Sequence, residues 1–297
     1  MEMSVGSSWK PLFAKMEGAY APATLRAYVA DVENFEAWCL GRQISPFPVA
    51  VDVLCTYLED LAATSSAETV RRRLYAVRKV CRLLGINDPT YDEDVNIALR
   101  RIRRSKLVRP KQAKGLTRDY LDAFIATQPD TPWGLRNCAM LSMGYDLLTR
   151  RSELIALETR DVVKRGDGTL RVTIRRSKCD PFGMGRISFT SRKTSEFVEK
   201  WLSWRGPNIR PLFCGIYQGK AINRALEASF VMRLVKQSAR DAGVDPETVD
   251  AFSGHSMRVG AAQDFLIKGF DAIAIMRAGG WKSVDVLARY LSIGVQN

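Results

Sequence analysis

Residues 254–265 read GHSMRVGAAQDF and hold the one histidine of the chain, His255, with Arg258 one helical turn further on. In a sequence carrying 45 Lys and Arg, a lone imidazole set beside a guanidinium is a pairing suited to an oxyanion. The guanidinium offers a fixed fork of N–H donors, and the imidazole donates or accepts a proton near neutral pH.

The composition points the same way. Lys and Arg exceed Asp and Glu by 45 to 32, a net charge of +13 over 297 residues, and a field of that sign favours polyanions. No apolar run approaches the ~18 residues of a membrane span, and the start, MEMSVGSSWKPLFAKMEG, lacks the continuous apolar core of a secretory signal. The six cysteines are scattered without a Cys-x-x-Cys pair, which fits reduced thiols and a cytoplasmic location. One histidine and no cysteine pair argue against a zinc site. No cofactor and no metal are expected.

The elements that must position His255 and Arg258 divide into two halves. Residues 24–40 place Leu25, Tyr28, Val29, Val32, Phe35 and Cys39 at helical spacing, and 50–62 repeat the pattern with Val51, Leu54, Leu58 and Leu61. Ser65 and Glu68 read as a capping box opening a third helix with a Val70, Leu74, Val77, Cys81 and Leu84 stripe. Its other faces carry Arg71, Arg72, Arg78, Lys79 and Arg82, a cationic surface suited to phosphates. A fourth helix around 92–104 ends in LRRIRRSK, adding Arg101 and Arg103 to the cationic surface. Residues 1–105 thus read as a small helical domain with cationic faces, 106–115 as a basic linker and 116–297 as a mixed domain. In the mixed half, 117–127 and 134–148 read as helices, and 170–178 and 185–191 alternate like paired strands. Helices are expected near 193–204, 221–241, 257–268, 271–278 and 284–291. The fold class is mainly α with a small β-sheet, in two domains.

Beyond this reading, FSGHSMRVGAAQDF, IMRAGGW at 275–281 and ARYL at 288–291 resemble the C-terminal block of the tyrosine recombinases, the phage-integrase family. GYDLLTRRSELIAL (144–157) resembles the block holding that family's first arginine, and RRSK (175–178) the segment ending in its lysine. Singly, His-x-x-Arg and Arg-x-x-Glu are weak patterns; in order, with gaps of 3, 23 and 9 residues from His255 through Arg258 and Trp281 to Tyr290, they form a strong one. EAWC (36–39), LRRIRR (99–104) and NRALEASF (223–230) extend the likeness over most of the chain. The resemblance implies a catalytic set of Arg150, Glu153, Lys178, His255, Arg258, Trp281 and Tyr290, and makes Arg224 a reader of a base in the major groove. It further implies double-stranded DNA with inverted half-sites as the partner. A homotetramer would form on DNA from a monomer or weak oligomer, with strand exchange through a Holliday junction.

The residue types suit those roles. Two guanidiniums stabilise charge growing on non-bridging phosphate oxygens by preorganised electrostatics. Tyr290 supplies the nucleophile, and the covalent phosphotyrosine conserves phosphodiester energy so that no ATP is needed. Lys178 serves as general acid for the leaving sugar oxygen. Trp281 offers one indole N–H and no acceptor, so it does no acid–base work. Glu153 holds neighbouring cations in place. Only LSIGVQN follows Tyr290, a shorter tail than the family usually uses to dock neighbouring subunits, so a different coupling between protomers or a truncated chain is expected. Two rival readings share these residues: a type IB topoisomerase and a catalytically silent DNA-binding protein.

Overall fold

The structure is a computed structural model that describes residues 9–106, 112–175 and 185–291. It divides into two compact units, Met1–Pro110 and Lys111–Asn297.

The first unit is built from α1 (Pro22–Leu40), α2 (Val51–Thr64), α3 (Ala67–Leu84) and α4 (Glu93–Ser105), preceded by a 3-10 turn at Lys10–Met16. Pro22 starts α1 with its backbone angle already helical and no N–H to leave unpaired. The apolar stripes named from the sequence meet in one core: Val32, Phe35, Leu54, Leu58, Leu74 and Val77 are all buried. Phe35 and Tyr57 pack edge to face, with ring centroids 4.9 Å apart. The cap of α3 is Ser66, whose side chain accepts from the Thr69 N–H, and not Ser65, which instead closes α2 in an extended conformation. Two adjacent serines are equal in type, and the tight connection between α2 and α3 decides which of them caps.

The second unit begins with residues that bind it by main-chain bonds: the Lys114 N–H donates to Ala251 O and the Leu116 N–H to Ser256 O. Then come α5 (Arg118–Ala126), α6 (Pro132–Asp146) and the short α7 (Arg151–Ile155). A three-stranded antiparallel sheet follows, β1 (Val162–Lys164), β2 (Leu170–Ile174) and β3 (Arg186–Phe189), with β2 central and Val172 opposite both Val162 and Ser188. On β2, Leu170, Val172 and Ile174 point inward, as the alternation requires. The remainder is α8 (Arg192–Arg205), β4 (Cys214–Tyr217), β5 (Lys220–Ala225), α9 (Ala228–Asp241), α10 (Pro246–Ala251), α11 (Ser256–Ile267), α12 (Ala272–Gly279) and α13 (Val284–Leu291).

The helix expected over 221–241 is therefore two elements. Its first part is β5, paired antiparallel with β4 through a two-residue turn in which Gln218 and Gly219 both have positive φ. That turn matches the twist of a hairpin and closes the strands before helix can form. Apolar spacing in KAINRALEASF suits a helix, and tertiary pairing overrides it.

One helix organises the second unit. Ser256 to Gln263 of α11 are buried without interruption, so this helix runs through the core with all its faces covered. Gly260 permits that depth: a Cβ there would stand 1.9 Å from Leu116 O.

Candidate active site

His255 is the residue at the N-terminal end of α11, and Arg258 lies in its first turn. Burial of α11 carries Arg258 inside with it, to 1% exposure. There its Nη1 donates to two main-chain carbonyls, Gly279 O at 2.7 Å and Leu148 O. Leu148 sits in the left-handed region at φ +48, an unusual conformation for a leucine, at the bend between α6 and α7. The two carbonyls fix the guanidinium, and its Nε and Nη2 remain buried with no acceptor among the described residues. Burial, then the charge of Arg150, pushes the Arg258 guanidinium down to about 10, still cationic at neutral pH.

Trp281 and Tyr290 close over this group. Gly280 ends α12 in the left-handed conformation, and the Trp281 N–H bonds back to Met276 O at 2.9 Å. The indole lies against Arg258, whose guanidinium carbon is 3.7 Å from the ring centroid. The Trp281 Nε1–H is buried and has no acceptor among the described residues. On α13, buried Leu287 and half-buried Tyr290 are three residues apart and share a face. Gln263 of α11 donates to Tyr290 O at 3.3 Å, tying the two helices together. The Tyr290 ring stands 5.3 Å from that of Trp281 and 6.0 Å from the Arg258 guanidinium carbon.

Arg150 enters from the start of α7. Glu153 accepts from the Arg150 main-chain N–H at 3.1 Å with one oxygen and from its Nη1 at 2.5 Å with the other. The His255 imidazole is lowered below its usual 6.5, first by desolvation among its neighbours and then by the charges of Arg151, Arg258 and Arg150. The shift disfavours the protonated imidazole, though the residue keeps a solvent-exposed surface.

Arg150, Glu153, His255, Arg258, Trp281 and Tyr290 thus lie in one cluster linked by contacts and mutual charge interactions. Lys178 lies outside the described residues. Sequence reasoning missed Arg186 on β3, whose Nη2 donates to Glu153 Oε2 at 3.0 Å. Its only sequence signal is an arginine opening a strand whose next alternate residue, Ser188, is also polar. Among the described residues, no group of three or more His, Cys, Asp and Glu side chains could hold a metal ion.

The basic residues named for DNA contact differ in their ties. Arg101, Arg103 and Arg224 are exposed. Arg71 bonds Tyr75 Oη at 2.9 Å. Arg72 is held by buried Asp31 at 2.5 Å. Arg78 donates to Thr90 and lies over the Tyr91 ring at 4.0 Å, and Arg82 bonds Tyr91 Oη. Much of the cationic face on α3 therefore braces the first unit.

Known proteins match both units. The family described as "Phage integrase family" matches residues 114–296, and "Phage integrase, N-terminal SAM-like domain" matches 13–85. The chain is 28% identical over 293 residues to the recombinase cre of Escherichia phage P1, covering 92% of this chain and 84% of that protein. It is 29% identical over 292 residues to an integrase/recombinase xerD homolog of Selenomonas ruminantium, covering 94% and 84%. A solved lambda integrase tetramer bound to a Holliday junction shares the fold, with a TM-score of 0.66 at 13% identity over 97% of this chain and 78% of that one. Fold and relatives together define a site-specific recombinase of the tyrosine class. The chain belongs to the phage integrase family. Neither the topoisomerase reading nor the silent DNA-binding reading is favoured by these matches. No helix among the described residues is long and apolar enough to cross a membrane.

Proposed function

We propose that the Tyr290 phenolic oxygen attacks a DNA backbone phosphorus held by Arg150, Arg258, His255 and Trp281. The bond from phosphorus to the 5′ oxygen of the next sugar breaks, a 3′-phosphotyrosine forms, and Lys178 gives the departing oxygen its proton. Neutral His255 takes the tyrosyl proton. Attack by the 5′ hydroxyl of a second strand reverses the step and releases Tyr290, so strands are exchanged without an external energy source.

One observation carries this reading. Three donor nitrogens, Arg258 Nε and Nη2 and Trp281 Nε1, are buried beside the Tyr290 ring with no acceptor among the described residues. Each unpaired buried donor costs about 1–3 kcal/mol, and a tetrahedral phosphate oxygen is an acceptor that would recover it. Donors fixed before the reaction are worth about 10²–10³-fold each to a transition state that gathers charge on those oxygens.

In the same proposal, four protomers act on two DNA sites, each with inverted half-sites, and pass through a Holliday junction. The free protein is a monomer or weak oligomer and works in the cytoplasm on the nucleoid. Arg71, Arg72, Arg78, Arg82, Arg101 and Arg103 contact phosphates, and Arg224 reads a base. Arg101, Arg103 and Arg224 are exposed, as are Arg72 and Arg82, which are tied to Asp31 and Tyr91.

The test begins by selecting bound sites from a random DNA pool, which should return two inverted half-sites around a short spacer. On a nicked version of that site the wild-type protein accumulates a covalent adduct on a denaturing gel. Tyr290→Phe should bind equally well and form none; an adduct that survives the substitution rejects Tyr290 as nucleophile.

A further inference from the structure

We infer that Arg186 is a positioning residue of this active site: it shares the Glu153 carboxylate with Arg150 and so leaves Arg150 a net cation toward the phosphate. The inference rests on the phosphate-binding role proposed above.

The observations begin with the strand. On β3 the usual polarity is inverted, with Ile187 and Phe189 half exposed at 53% and 50% while the Arg186 side chain turns inward at 12%. A strand built only for stability would bury the isoleucine and phenylalanine and leave arginine to solvent. The inward arginine reaches a carboxylate already engaged by another. Glu153, with a side chain 2% exposed, gives Oε1 to Arg150 Nη1 at 2.5 Å and Oε2 to Arg186 Nη2 at 3.0 Å. Arg186 Nη2 also leans on Leu147 O at 3.4 Å, in the bend that carries Leu148 and Arg150. On its other side Arg186 lies over Gly280, where a Cβ would stand 3.1 Å from its Nε. It therefore touches the two segments that present Arg150 and Trp281.

Formal charge gives the arrangement its meaning. Counting Arg150, Arg258 and Glu153 alone gives one net positive charge, and Arg186 adds a second. Arginine–carboxylate pairs are frequently bidentate. Arg186 uses one nitrogen, and its Nε and Nη1 are buried with no acceptor among the described residues. Burial lowers its guanidinium from the usual value, Glu153 opposes that shift, and Arg150 adds to it.

The experiment uses the full chain and exploits the lone histidine, whose imidazole gives a single NMR titration. His255 is faced by Arg150, Arg151 and Glu153 from the start of α7 and by Arg258 on its own helix. Arg186→Met should raise the His255 pKa, and Arg186→Met with Glu153→Gln, which removes one charge of each sign, should return it toward wild type. On the selected nicked site, Arg186→Met should slow adduct formation at least ~10-fold with DNA affinity within ~3-fold. The double variant should recover part of that rate, and Arg186→Lys most of it. Arg186→Gln, which keeps a donor for Glu153 without the charge, gives the same titration where the methionine variant does not fold. An unchanged His255 titration in the neutral variants, or a double variant slower than Arg186→Met, overturns the inference. Should the wild-type protein form no adduct at all, the cleavage reading fails, and the titration still decides whether Arg186 balances Glu153.

Discussion

Replacing Gly279 by alanine perturbs the packing of Trp281 without removing any charged group. Gly279 is in the last turn of α12, and its carbonyl accepts from Arg258 Nη1 at 2.7 Å. A Cβ built there stands 1.9 Å from Trp281 Cζ3 and 2.3 Å from Cε3. Ordinary contact begins near 3.4 Å, so the indole must retreat by about 1.5 Å or the end of α12 must shift. Either movement disturbs the 3.7 Å stacking on Arg258 and the 5.3 Å contact with Tyr290. Overpacking of this kind costs about 1–3 kcal/mol of stability. A misplacement near 1 Å at a reacting centre costs about 10²-fold in rate. Gly279→Ala should therefore form the covalent adduct about 10²-fold more slowly in single turnover, with DNA affinity nearly unchanged and a lowered thermal midpoint. Gly166→Ala, where a Cβ meets nothing within 4 Å, is the matched control and should be silent in both assays. Wild-type cleavage by Gly279→Ala would refute the claim that Trp281 must lie flat on Arg258.

Three further outcomes follow from the same geometry. Lys178→Ala should slow cleavage about 10²–10⁴-fold with little effect on binding. A substrate with a better leaving group than the sugar hydroxyl should restore the rate, and no restoration would remove Lys178 as the acid. Because the folded His255 value lies below 6.5, its contribution to stability is full above 6.5 and is lost as pH falls through the lowered folded value. The thermal midpoint of wild type relative to His255→Asn should thus fall between about pH 7 and 5; a constant difference would contradict the shift. In the first unit, Arg72→Ala strips buried Asp31 of its nearer partner, leaving Arg73 at 3.7 Å. Burial already raises the Asp31 carboxyl against both arginines. The half-exposed Arg72 makes the expected loss about 1–2 kcal/mol by denaturant unfolding, whereas exposed Arg101→Ala should leave stability intact and lower the salt dependence of DNA binding by about one ion. Equal effects of the two substitutions on both measurements would refute the division.

The sequence made the cluster legible where local spacing carries it. His255 and Arg258 are one turn apart, so any helix there places them together, and Arg150 with Glu153 repeats the same geometry. Trp281 and Tyr290 became legible through the order and gaps of a resemblance, since an indole and a phenol alone are as well suited to a core. Arg186 was not legible, because its inward turn depends on β3 pairing with β2 and on Glu153 having an oxygen to share. The bracing of the α3 arginines was hidden for the same reason: Asp31, Thr90 and Tyr91 reach them only after the unit folds. The misread β5 shows a limit of periodicity, as a turn fixed by two positive-φ residues converts a run with helical spacing into a hairpin.

The most direct measurement digests the trapped protein–DNA adduct with protease and nuclease and sequences the nucleotide-bearing peptide by mass spectrometry. The account predicts a single modified peptide containing ARYL, with the deoxynucleotide phosphate on Tyr290. A phosphate carried on any other side chain, or an adduct of unchanged yield when Arg258 is replaced, would contradict it.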